Sequence, residues 1–193
     1  MHVDRGGSRI DWHELVLFTL LRVTQLFRLD RLLYGVFVST PPFTAYFPGV
    51  ERLPVVRRIF REHTDAVVRD LQIDFTWLGG YMGVNAANGH LLVNARYLRQ
   101  GDRVDIYLDV IHELVHIKQL REGRDLFDRR YRYVERPTEV EAYRIAVAEA
   151  KRLGLPDERI CDYLRTEWMS DDAFAHLART LNVPCPRPRR LYP

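Results

Sequence analysis

His112 and His116 stand four residues apart with Glu113 between them, in the segment His112-Glu113-Leu114-Val115-His116. On a helix this spacing stacks the two imidazoles on one face. Two neutral imidazole nitrogens so placed can reach one zinc ion at about 2.0–2.1 Å. Glu113 is displaced around the helix, where its carboxylate can reach a zinc-bound water without ligating the metal. A carboxylate in that position can take the water's proton during amide hydrolysis. Zinc supplies the other half of the chemistry by lowering the water's pKa and polarising the scissile carbonyl. The pattern therefore predicts a zinc-dependent metallopeptidase with Glu113 as its catalytic residue and one zinc ion as cofactor. The competing expectation is a zinc-containing interaction or sensor protein with little or no peptidase activity.

Catalytic zinc normally takes three protein ligands. No histidine lies between His116 and His176, so the third ligand is expected to be a carboxylate. Glu139 is the first choice, in the opening turn of the next predicted helix. Glu135, in the loop before Pro137, and Glu141, at capping-box spacing from Thr138, remain open. Asp109, one turn before His112, could orient a zinc-bound imidazole. Tyr131, Tyr133 and His90 are the groups that could reach a developing oxyanion.

The elements around these residues follow from periodicity and punctuation. Ile10 to Tyr34 reads as an apolar helix with one narrow polar stripe, and Ser39 to Gly49 as a turn-rich connection. Pro54 opens a helix expected to run to Gln72. Ile73 to Leu78, Tyr81 to Val84 and His90 to Leu98 read as strands, the last two joined by an Asn88-Gly89 turn. The histidine helix is predicted from Val104 to Arg121, with Gly123 as its stop. Asp125 to Glu135 is expected to be a covering loop. Further helices are predicted from Pro137 to Gly154, from Asp157 to Met169 and from Asp171 to Leu181. The order predicts a single α+β domain. It divides into an N-terminal helical segment (1–53), a core (54–154), and C-terminal helices with a Pro/Arg tail (155–193).

Leu92-Val93-Asn94, the His112–His116 segment and Glu139-Val140-Glu141-Ala142 together resemble the minimal gluzincins, most nearly the ImmA/IrrE-like metallopeptidases. In that family a strand ending in Val-Asn precedes HExxH, and a later helix carries Glu-x-x-Ala. The resemblance covers residues 55–154. It implies a zincin-like fold: a backing helix over 55–71, a small antiparallel or mixed sheet, the active-site helix and a glutamate helix. It makes His112, His116 and Glu139 the metal ligands and Glu113 the general base. It also implies that an extended substrate pairs along 90–98, touching Val93, Asn94 and Ala95, and it allows a narrow regulatory specificity. Where some gluzincins carry an aspartate four residues after the ligand glutamate to orient a zinc histidine, this chain has Tyr143, which the resemblance makes a candidate for part of that role.

Composition narrows the partners. The 193 residues are 47% hydrophobic and 28% charged, ordinary for a globular chain, and the net charge of +3 comes from scattered arginines. No nucleic-acid motif or single basic face is evident, so no nucleic-acid partner is expected. A peptide or protein substrate is expected instead. The N-terminal amphipathic segment offers a further surface for a partner or a weak membrane contact. No stretch has the length of a membrane span or the pattern of a signal peptide. Cys161 and Cys185 show no paired spacing, which argues against a disulfide framework and fits a reducing, cytoplasmic setting.

Overall fold

The computed structural model describes residues 40–76 and 80–186. The apolar segment from Ile10 to Tyr34 and the end of the Pro/Arg tail lie outside the described residues. The turn-rich connection contains two 3-10 turns, Phe43–Ala45 and Val50–Arg52. It is not peripheral: Phe43, Tyr46, Phe47 and Val50 are all buried.

The helix expected from Pro54 to Gln72 is broken in two. Helix α1 (Pro54–Phe60) and helix α2 (Thr64–Asp70) flank a 3-10 turn over Arg61–His63. Arg61 takes φ +53, a region that strains any residue with a Cβ. The Thr64 hydroxyl donates to the Arg61 carbonyl at 2.6 Å, holding it in a local turn. Both halves still bury their apolar positions, Val55, Val56, Ile59 and Phe60 in α1 and Val67 and Val68 in α2.

The sheet is small and mixed: β1 (Ile73–Thr76), β2 (Met82–Asn85) and β3 (His90–Asn94) lie in the order β1-β3-β2. Strand β3 is parallel to β1, with Ile73 opposite Leu91, and antiparallel to β2, with Met82 opposite Val93. The expected strand over His90 to Leu98 stops four residues early. Asn94 accepts from the N–H groups of Arg96 and Tyr97, and this N-cap turns the apolar run that follows into α3 (Ala95–Gln100). Gly101 then closes the helix where only a glycine fits, since a Cβ there would lie 2.5 Å from the Tyr97 ring.

Asp102 caps α4 (Arg103–Arg121) through the N–H groups of Val104 and Asp105, and Gly123 ends it with φ +75. Helices α5 (Pro137–Arg152), α6 (Asp157–Leu164) and α7 (Asp171–Thr180) follow. No capping box forms on α5. Pro137 occupies its first turn, Arg136 is the cap without a side-chain bond, and Glu141 bonds elsewhere. Helix α4 is buried almost all round, from Ile106 through Ile117, the pattern of a central core helix. One hydrophobic cluster extends from Phe43 to Val183, and α4 lies against α1, α5, β2 and β3. The result is an α+β fold. Among the described residues no helix is long and apolar enough to cross a membrane.

Cys161 and Cys185 correct the cysteine reading: they form a disulfide across 24 positions. It ties α6 to the segment after α7. The argument from unpaired cysteines for a reducing compartment therefore falls away.

Candidate functional site

Because α4 runs through the core, it carries polar side chains into a place where they must find partners. His112, Glu113 and His116 are all buried, as is Glu139 in the first turn of α5. The two histidine Nε2 atoms lie 3.0 Å apart. Glu139 Oε2 lies 3.3 Å from Nε2 of His112 and 3.4 Å from Nε2 of His116. Three donors around one ion with bonds of ~2.0–2.1 Å would be separated by about 3.3–3.4 Å if tetrahedral. Glu139 Oε2 has no hydrogen-bond partner despite its burial, which leaves its lone pairs free for a cation. The group could hold a metal ion. Of the three glutamates considered, only Glu139 reaches the histidines. Glu135 pairs with Arg132, and Glu141 pairs with Arg124, Lys118 and Gln119.

Gln119, fully buried, orients one of the imidazoles. Its Oε1 lies 2.7 Å from His116 Nδ1, while its Nε2 donates to the Thr138 carbonyl and to Glu141 Oε2, both at 3.0 Å. With the amide nitrogen committed as a donor, Oε1 must accept, so Nδ1 is the nitrogen that keeps its proton in the neutral form of His116, and Nε2 is the one whose lone pair a metal would take. His112 has no such support, since its Nδ1 is buried without a partner. Neither residue expected to orient it does so. Tyr143 packs its ring edge-on against the His112 ring at 4.4 Å, and its hydroxyl meets that of Tyr133 at 3.1 Å. Asp109 instead accepts from the Tyr97 hydroxyl at 2.6 Å and has the Tyr163 hydroxyl nearby.

The electrostatics follow from burial and from this clustering. Burial pushes the Glu113 carboxyl up to about 8, against a smaller opposing pull from His116. Burial also lowers His112. For His116 burial works the same way, but Glu139 and Glu113 outweigh it and lift the group to about 9. Burial would raise Glu139, yet the two imidazoles beside it hold it well below the usual carboxylate range. Asp109 is raised to about 6 by burial, with the Tyr97 and Tyr163 hydroxyls pulling the other way.

A cavity of about 350 Å³ opens onto His112 and Glu113. Its walls are largely aromatic: Tyr81, Tyr97, Tyr133, Tyr143, Tyr163 and Trp168. Tyr81 and Trp168 are exposed at its mouth. A larger cavity, about 800 Å³, is lined by neither His112 nor His116. Of the groups considered for oxyanion contact, only Tyr133 lines the smaller cavity. Tyr131 is exposed, and His90 is held by Asp74 at 2.9 Å at the start of β3.

The expected substrate strand is corrected by the topology. Strand β3 is the middle of the sheet, with β1 and β2 on its two edges, so its backbone has no free side. Val93 and Ala95 are buried, and Asn94 is engaged as the α3 cap. The strand beside the cavity is β2, whose Met82 lines it. Among the described residues β2 has no neighbour on its other edge, and a side chain at Gly83 would meet nothing within 4 Å.

Sequence reasoning missed Gln119 and the Tyr97–Asp109–Tyr163 cluster. Gln119 carried a signal, since it sits three residues after His116 on the same helix face. The tyrosine cluster had none, because it joins α3, α4 and α6. Fold and site together define an α+β protein with a buried His2Glu group able to take a metal ion. Comparison with protein-family models, with curated proteins and with solved structures finds no match.

Proposed function

We propose that this chain is a zinc-dependent metallopeptidase of the gluzincin type, with a zincin-like arrangement similar to ImmA/IrrE-like enzymes and a narrow, regulatory substrate range. The observation that carries the reading is the convergence of His112, His116 and Glu139 beside a buried Glu113 that faces a cavity. Two imidazoles and one carboxylate are a common catalytic zinc set, and this is the ground for naming zinc. The ion would supply Lewis acidity, polarising a substrate carbonyl and acidifying nearby water.

The protein's own groups do the rest. Glu113, buried beside the group that would hold the ion and facing the cavity, takes a proton from the attacking water in its carboxylate form and returns it to the leaving amine. The Tyr133 and Tyr143 hydroxyls stand in the same cavity as donors for charge developing on the carbonyl oxygen. The free edge of β2 accepts an extended peptide by backbone pairing. Tyr81 and Trp168 hold its side chains at the mouth. The test is a pair of measurements on wild type and Glu113→Gln: bound zinc, and cleavage of a randomised peptide library read by mass spectrometry. Equal zinc in both with cleavage only by wild type is expected. Zinc in both and cleavage by neither would instead support a zinc-containing interaction or sensor protein. Wild type purified without chelator and free of metal would overturn the reading.

A further inference from the structure

The larger cavity belongs to no part of the proposed chemistry. It lies between α1, the Arg61–His63 turn, the C-terminal end of α4 and the middle of α5. Its α4 residues, Lys118 and Arg121, sit roughly opposite His116 at 3.6 residues per turn. The floor is apolar, made by Val55, Ile59, Phe60, Val67 and Ile145. Its volume of about 800 Å³ is within the ~300–1,000 Å³ typical of small-molecule sites. The charges around it do not cancel. Glu149 is taken by Arg152 and by the Tyr107 hydroxyl and Glu122 by Lys118, which leaves Glu62, beside His63, as the one acidic side chain of the lining without a lysine or arginine among the described residues. Arg58, Arg61, Arg121 and Arg144 remain, all exposed. Among the described residues none of their guanidinium groups has a partner. Four unpaired guanidinium groups over an apolar floor suit a ligand with an anionic head and an apolar body. The N-terminal segment of the chain itself lacks that charge, with five arginines against four acidic residues up to residue 39.

We propose that this groove is a second binding site, one for an anionic amphipath with a single apolar tail and a phosphate or carboxylate head. Its location on the far side of α4 makes it independent of the peptidase reading. The test is calorimetric titration of the full chain with dodecyl phosphate below its micelle concentration. Inorganic phosphate and dodecyltrimethylammonium are the comparison probes. Saturable 1:1 binding of dodecyl phosphate is expected, at least tenfold tighter than either comparison probe. Arg121→Glu and Arg144→Glu are each expected to weaken it about tenfold, in line with losing one charge-assisted contact. Arg58→Gln serves the same purpose if a reversal disturbs folding. Zinc content should stay unchanged in all three. Binding that is equal for the cationic probe, equal for phosphate alone, or indifferent to the arginine variants would overturn the proposal. So would the absence of saturable binding.

Discussion

Replacing Gln119 with leucine tests how the metal group is held together. The side chain is fully buried and makes three polar contacts, to His116 Nδ1, to the Thr138 carbonyl and to Glu141. Leucine fills nearly the same volume but leaves the buried imidazole N–H without a partner, while the Thr138 carbonyl keeps its place in the α5 ladder. A buried orphan costs about 1–3 kcal/mol, so the metal-free protein should lose on the order of 1–3 kcal/mol of stability. Zinc binding should weaken by about 10–100-fold, because the tautomer and tilt of His116 are no longer fixed. Gln119→Glu separates the two effects. Its carboxylate still accepts from Nδ1, so zinc affinity should stay close to wild type. It loses both N–H donors and faces the Glu141 carboxylate, so stability should still fall. The assays are zinc competition against a chromophoric chelator and urea unfolding of the metal-free proteins. A Gln119→Leu zinc affinity within twofold of wild type would refute the positioning role, whatever happened to stability.

Asp109 supplies a pH test. Its carboxyl rises from 3.8 to about 6 on folding, so between those values the folded chain holds a proton that the unfolded chain has released. The stabilisation is complete below about pH 4 and is lost as pH rises through 6, on the order of 3 kcal/mol in all. Urea unfolding from pH 4 to 7 should show wild type losing ground to Asp109→Asn, and a constant difference would contradict this. The Cys161–Cys185 bond closes a loop of 24 positions, worth about 3 kcal/mol by loop-closure entropy. Reductant, or Cys161→Ala with Cys185→Ala, should lower the unfolding midpoint accordingly, and thiol titration before and after reduction checks that the bond is present. Tyr133→Phe should reduce kcat by about 100-fold with little change in KM if its hydroxyl meets the oxyanion. An effect on KM alone would assign it to substrate binding instead.

How much of this was legible in the sequence depended on how local the cause was. The α4 boundaries were readable because Asp102 and Gly123 are cap residues acting within one turn. The two histidines and Glu113 were readable for the same reason. Glu139 was readable as one of three choices, and what separates it from Glu135 and Glu141 is the set of cations near each. Arg132 takes Glu135, while Arg124 and Lys118 take Glu141, and no periodicity encodes those pairings. Two of the misread boundaries, the break after Phe60 and the end of β3, have local causes that the hydrophobic pattern hides. Thr64 and Asn94 each divert the backbone through a side-chain bond, while the apolar spacing around them continues. The position of β3 inside the sheet was out of reach altogether, because strand order is settled by crossover geometry. With it went the assignment of Val93, Asn94 and Ala95 to the substrate. The disulfide joins partners 24 positions apart, set by how α6 and the segment after α7 return to each other.

The mixed sheet has a consequence in loop entropy. Strands β2 and β3 meet through the short turn ending at Gly89, whereas β1 reaches its parallel partner only after the chain has travelled through residues 77–89. Closing the longer loop costs about 1 kcal/mol more in chain entropy. Parallel pairing also returns slightly less per residue than antiparallel pairing. The two edges of β3 are therefore unequal in what closing them costs, and the cost on the β1 side is offset by the burial of Ile73 and by its backbone bond to Pro41. The strand assigned to substrate is thus the one that reaches β3 through the shorter loop.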